Sequence, residues 1–301
     1  MLARKIKDRI ASQGPIPFSE YMDLCLFDPE HGYYTNLKEM GRRGDFVTAP
    51  ECGPYFAKAL AHFLEPKVQV FKNPVIFELG GGSGQLAFDL LSFLAIPVRY
   101  IILEKSPSLK AIQQQKLAGL SVEWVDDVLE QGLEGVILAN EFFDALPVER
   151  YTEAGQSYVD YQEGQFFETG EGQRFEKCLL FKEILSPILG TFKQGLALVI
   201  DYGDEVIDHS TLTAYKNHQI VSVFDSPGDC DITAHVNFTD LAEIFIQNAW
   251  EIDAFKTQAE FSLEQGILPE RGLDTENYAI KRLIDPRLMG RLFKVMSAQL
   301  T

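Results

Sequence analysis

Residues 78 to 84, Glu78-Leu79-Gly80-Gly81-Gly82-Ser83-Gly84, set four glycines between the apolar run Val75-Ile76-Phe77 and a helical stretch from Gln85 to Leu94. Glycines at such a turn let backbone N–H groups approach a ligand without Cβ interference, which is the chemistry of a nucleotide-type site. Two registers are open. Gly82-Ser83-Gly84-Gln85-Leu86-Ala87 satisfies the dinucleotide pattern G-x-G-x-x-A, whereas the same pattern counted from Gly80 fails at Gln85. The plain alternative is a glycine-rich turn that only packs a helix on a strand.

The acids around the loop say more. Glu78 completes E-x-G-x-G-x-G, the pattern of S-adenosylmethionine enzymes. A carboxylate there repels a pyrophosphate but suits a ligand carrying a sulfonium and an ammonium group. Glu104, closing the apolar run Val98 to Leu103, can accept from both ribose hydroxyls, which serves either cofactor. Asp126 or Asp127, after Ser121 to Val125, can accept from an adenine amine. The donor set is therefore Glu78, Gly80, Gly82, Gly84, Glu104 and Asp126.

A second constellation follows the run Gly135 to Ala139. Glu141 and Asp144, three positions apart, are placed to orient a guanidinium through paired carboxylates and to raise electron density on one of its nitrogens. Methyl transfer needs little covalent help beyond such positioning, because a sulfonium is already activated. The competing reading has Asn140 and Glu141 capping a helix and Asp144 in solvent. His235 reads as a base or hydrogen-bond partner, or as a satisfied loop histidine. Gly44-Asp45-Phe46-Val47-Thr48-Ala49-Pro50-Glu51 reads as part of a lid that brings Asp45 and Thr48 to the methionine end of the donor, or as a simple loop capped by Thr48. Tyr33-Tyr34 reads as packing for the cap in preference to substrate-side aromatics.

The elements that must position these groups alternate. Strand-like runs at 75–79, 98–103, 121–125, 135–139 and 196–200 are separated by helical stretches, which predicts a mainly parallel sheet with ligands outside its carboxyl ends. The fold class is thus α/β, a Rossmann-like sheet with an N-terminal helical cap over 1–72 and a core over 73–301. Insertions fall at about 151–195, beginning with a β-hairpin (157–168), and at 204–237, a loop-rich stretch too long to be a plain connection. Residues 238–248 read as helix, 250–255 as strand, and 288–300 as an amphipathic closing helix.

With 44 acidic against 27 basic residues, the net charge of −17 disfavours nucleic acid and anionic membranes and suits a protein partner with a basic segment. Cys25, Cys52, Cys178 and Cys230 are scattered without a C-x-x-C pair, and the five histidines lack ligand spacing, so neither a disulfide framework nor a metal site is expected. No run approaches the ~20 apolar residues of a transmembrane helix. Residues 1–13 read as an amphipathic helix with Leu2, Ile6 and Ile10 on one stripe rather than a transit peptide, which places the protein in a cytoplasm.

Five segments together resemble one family: Asp28-Pro29-Glu30-His31-Gly32-Tyr33-Tyr34, residues 44–51, the glycine loop, residues 139–148 beginning Ala139-Asn140-Glu141-Phe142-Phe143-Asp144, and Asp231-Ile232-Thr233-Ala234-His235-Val236. They are similar to the MidA-like methyltransferases, relatives of the mitochondrial complex I assembly methyltransferase. The resemblance implies a class I methyltransferase fold, S-adenosyl-L-methionine as donor, and, for mitochondrial members, arginine methylation of a protein. Asn237 stands where the family pattern has aspartate. The expected function is protein-arginine methyl transfer; the alternatives are a non-catalytic assembly or chaperone factor on the same fold, and an NAD-dependent oxidoreductase resting on the other glycine register.

Overall fold

The computed structural model describes residues 1–36, 48–128, 130–268 and 278–301. Seven strands form the central sheet: β1 (Val75–Leu79), β2 (Arg99–Leu103), β3 (Val122–Val125), β4 (Leu133–Asn140), β5 (Phe192–Asp204), β6 (Glu251–Thr257) and β7 (Phe293–Leu300), in the order β3-β2-β1-β4-β5-β7-β6. Neighbours from β3 to β5 run parallel, and β7 is antiparallel to both β5 and β6. Val236–Asn237 adds a short parallel pairing to the end of β5.

Successive side chains point to opposite faces of a strand, and both faces of this sheet are covered. On one face Ile76, Ile102, Val136, Leu138, Leu198 and Ile200 pack against helices α3 (Tyr55–Val68) and α4 (Gln85–Phe93). On the other, Phe77, Ile101, Ile137 and Val199 meet Phe181 and Leu185 of the helix Leu180–Leu189 and Leu241 and Phe245 of the helix Phe238–Gln247. Each such side chain contributes about 1.5–3 kcal/mol by leaving water. The stretch read as a closing helix is different: Met289–Leu292 is one helical turn, and β7 follows. Phe293 to Ala298 are buried at every position, as a strand between two others requires, so periodicity gave no sign of which element it was.

A second lobe forms around a separate core. Leu2, Ile6 and Ile10 of α1 (Leu2–Gln13) and Phe18, Tyr21 and Met22 of α2 (Phe18–Phe27) pack with Val148, Val159, Ala214, Ile232 and Ala234. The hairpin Tyr158–Gln162/Gln165–Glu168 pairs with Ile16–Pro17. The stretch read as loop-rich holds a three-stranded sheet, Thr213–Lys216 between Gln219–Val221 and Asp231–Thr233. Arg150, nearly buried, reaches Glu168 at 3.0 Å and Glu176 at 3.3 Å and so ties the inserted strands together. Residues 1–36 thus join the two insertions, while α3, grouped with them in the sequence reading, belongs to the sheet's core. The lobe stands over the carboxyl ends of β1, β2, β4 and β5.

Candidate active site

Between sheet and lobe lies a cavity of about 950 Å³ lined by Glu78, Gly80, Glu104, Glu141, Asp144 and Asp231 among others. The chain leaves β1 with Gly80, Gly82 and Gly84 at φ 67°, 52° and 78°. These angles suit glycine alone at low cost. A Cβ on Gly80 would also stand 2.7 Å from Phe142 Cδ2. Gly80 and Gly82 line the cavity. Gly84 lies behind them at the start of α4, where a Cβ would meet the backbone of Gln113 at 3.4 Å.

Glu78 is 2% exposed and accepts from the Tyr100 hydroxyl at 3.0 Å. Burial, with some repulsion from Glu104, pushes its pKa to about 8. Glu104 accepts from Ser106 N at 2.8 Å and from Gln113 Nε2 at 2.9 Å, and burial raises its pKa too. Gln113 went unnoticed in the sequence. It is 0% exposed, its amide also donates to Gly82 O at 3.0 Å, and it accepts from Trp124 Nε1 at 2.9 Å. One side chain thereby fixes loop, acid and third strand. The available signal was spacing: Leu109, Gln113 and Leu117 recur every fourth residue on one buried face. Asp126 reaches the cavity but is largely exposed and paired with Lys110 at 2.7 Å.

The second constellation gathers at the ends of β4 and β5. Glu141 has φ 51°, and its Oε1 accepts from Ala49 N at 3.1 Å and Asn140 Nδ2 at 3.2 Å. Burial first, then the charge of Asp144, raises its pKa to about 8. Asp144, 6% exposed, accepts from the Tyr202 hydroxyl on Oδ2, while its buried Oδ1 has no hydrogen-bond partner among the described residues. Burial pushes its pKa up and the Tyr202 bond holds it back. Across the cavity Asp231 accepts from the Tyr34 hydroxyl at 2.8 Å. Tyr33 is packing, as expected; Tyr34 faces the site. Neither Glu141 nor Asp144 serves as a helix cap or sits in solvent.

His235 lines the cavity, its ring edge-on to Tyr202 at 5.4 Å, and burial lowers its pKa, which favours the neutral ring. Its backbone N–H donates to Thr211 Oγ1 at 3.0 Å. Thr48 lines the cavity, and Glu51, from the same segment, accepts from Ser83 of the glycine loop. Asp45 lies outside the described residues. Asn237 caps the helix that follows it, accepting from Thr239 N at 3.1 Å and Asp240 N at 3.3 Å, a task aspartate performs as well.

The model of a family described as "Putative S-adenosyl-L-methionine-dependent methyltransferase" matches residues 53–169 and 158–256. The chain belongs to that family. It is 28% identical to the Drosophila melanogaster protein arginine methyltransferase NDUFAF7 homolog, mitochondrial, over 98% of this chain and 84% of that one. With the Mus musculus protein arginine methyltransferase NDUFAF7, mitochondrial, it shares 29% identity over 80% and 68%. A Burkholderia thailandensis structure bound to S-adenosyl-homocysteine is 30% identical, covers 99% of this chain and 91% of its own, and superposes with a TM-score of 0.89. The methyltransferase is an S-adenosyl-L-methionine enzyme, and the E-x-G-x-G-x-G register, not the dinucleotide one, is the relevant reading of its loop. The residues fit that donor. Gly80 leaves room where a Cβ would collide with Phe142, Gly82 holds a positive φ beside it, and Glu78 is a desolvated acid whose charged form calls for a cation. Among the described residues no lysine or arginine lies within ion-pair distance of Glu141 or Asp144.

Proposed function

We propose that this methyltransferase methylates an arginine side chain within a basic segment of a protein. The observation that carries the reading is the acid pair Glu141 and Asp144 in the cavity that also holds Glu78 and the glycine loop, with Asp144 Oδ1 buried and without a hydrogen-bond partner among the described residues. Buried carboxylates without cations cost several kcal/mol, and a guanidinium offsets that cost with up to five N–H donors in a planar fork. Asp144 Oδ1 takes one N–H, Glu141 takes another, and Tyr202 holds Asp144 in line. Drawing the N–H donors of one nitrogen toward these acids increases its electron density. When bound, S-adenosyl-L-methionine would supply a methyl group already activated by its sulfonium and leave as S-adenosyl-homocysteine, and the proton given up by the methylated nitrogen would pass to one of the two acids. The excess of acids, net charge −17, supports a basic segment around the acceptor. The names of the fly and mouse relatives support arginine as the residue modified.

The test incubates the protein with tritiated donor and a lysate of cells lacking this chain, then hydrolyses the labelled protein. Radioactivity in methylarginine supports the reading. Label confined to methyllysine or to small molecules refutes it. Peptide mass spectrometry of the labelled band then reads whether basic residues flank the acceptor.

A further inference from the structure

Asp201, near the end of β5, is 0% exposed and does not line the cavity. Its Oδ2 nonetheless accepts from three consecutive backbone amides of the acceptor turn: Phe142 N at 3.2 Å, Phe143 N at 2.9 Å and Asp144 N at 3.4 Å. Its Oδ1 accepts from Tyr202 N at 2.9 Å. Glu141, just before those amides, stands in the left-handed region at φ 51°, a conformation a non-glycine residue keeps only when its surroundings over-determine it. The Glu141 N–H donates to Ile200 O at 2.8 Å, so β5 grips the turn at both ends.

We propose that Asp201 is a positioning residue for methyl transfer: by gathering the amides of residues 142–144 it sets the directions in which Glu141 and Asp144 face the acceptor. Its neighbour Tyr202 completes the arrangement from the side-chain direction, since the Tyr202 hydroxyl bonds Asp144 Oδ2 while the Tyr202 amide is held by Asp201. The dipeptide Asp201-Tyr202 therefore fixes both the backbone and one carboxylate oxygen of the acceptor pair. This rests on the reading of Glu141 and Asp144 as the acceptor site. It adds a residue that touches neither donor nor acceptor.

The experiment compares wild type with Asp201→Asn, Asp201→Ser, Glu141→Gln and Asp144→Asn. Tritium transfer into protein of a lysate lacking the chain gives the rate, and calorimetry with S-adenosyl-homocysteine gives affinity and stoichiometry. Loss of catalytic geometry by about 1 Å typically costs on the order of 100-fold, so a partial displacement predicts that Asp201→Asn lowers the rate at least about tenfold. Affinity and binding stoichiometry for S-adenosyl-homocysteine stay within about threefold, which a merely structural role would not allow. Asp201→Ser, with a shorter reach, lowers the rate further, and serves alone if the asparagine variant does not fold. A rate within twofold of wild type, or a rate loss matched by lost stoichiometry in both variants, overturns the proposal. If Glu141→Gln and Asp144→Asn lose transfer while Asp201→Asn keeps it, only the positioning role falls. If those two keep transfer, the acceptor-site reading falls and takes the positioning role with it.

Discussion

Ala49 and Glu141, 92 positions apart, are joined by a 3.1 Å hydrogen bond from the Ala49 N–H to Glu141 Oε1. Two residues on, Glu51 accepts from Ser83 of the glycine loop. The short segment beginning at Thr48 thus touches Glu141 with its backbone and the glycine loop with a side chain. Three residues, 49 to 51, tie the turn after β4 to the turn after β1.

The single N–H from Ala49 and the Asn140 amide do not offset burial at Glu141, whose pKa rises from the ordinary 4.5 to about 8. The folded chain holds this proton to higher pH than the unfolded chain does. The stability so contributed is complete below pH 4.5 and is lost as pH rises through about 8. Glu141→Gln removes that loss. Without donor, the variant should exceed wild type in stability at about pH 9 by an amount on the order of 1–3 kcal/mol, with a much smaller gap at about pH 5. Thermal melts at the two pH values check it, and equal pH dependence in the two proteins would contradict it. Methyl transfer falls in the same variant because a carboxylate oxygen becomes an amide.

Gly80 allows a second forecast. Its φ of 67° and the 2.7 Å approach a Cβ would make to Phe142 Cδ2 mean that Gly80→Ala must strain the loop and push the Phe142 ring. Stability should drop by roughly 1–2 kcal/mol, and affinity for S-adenosyl-homocysteine by tenfold or more, at about 1.4 kcal/mol per decade. Calorimetry and urea unfolding read the two effects, and unchanged affinity would remove Gly80 from the donor site.

Gln113→Leu probes the buried amide. The substitution keeps volume but leaves Trp124 Nε1 without its acceptor, and Glu104 Oε2 and Gly82 O without that donor. Each buried group left unsatisfied costs about 1–3 kcal/mol, so with three such groups the variant should lose roughly 3 kcal/mol or more. Donor affinity falls with it, since Glu104 and the loop lose their common anchor. A variant as stable as wild type would show that solvent satisfies those groups.

What the sequence revealed about this site follows from which constraints are local. The loop of 80–84 was legible because positive φ demands glycine, and Glu78, Glu104 and Glu141 because each ends a strand whose apolar run is visible. Gln113 was hidden among three consecutive glutamines, where only its spacing from Leu109 and Leu117 singles out the buried one. Tyr34 and Asp231 meet across 197 positions, a pairing that no local pattern encodes. Asp126, also at a strand end, carries the same local signal as Glu104 yet points to solvent and Lys110. The closing strand β7 failed as a helix because its residues are buried on both faces, which erases the period that separates the two states.

Tyr202→Phe yields a prediction whose sign is set by one bond. Burial raises the pKa of Asp144, and the Tyr202 hydroxyl donated to Oδ2 opposes that rise. Removing the hydroxyl leaves a buried carboxylate with one donor fewer, so its pKa climbs further. Transfer that requires ionised Asp144 is lost as pH falls, and in the variant that loss begins at higher pH. A charge-assisted hydrogen bond worth about 1.5–3 kcal/mol corresponds to an upward move of the acid limb by roughly one to two pH units, at about 1.36 kcal/mol per unit. The rate of tritium transfer measured across pH for both proteins decides the point. A limb that stays in place or moves down means that Asp144 does not titrate in the transfer step. An upward move with unchanged affinity for S-adenosyl-homocysteine ties the Tyr202 hydroxyl to the acceptor acid rather than to donor binding.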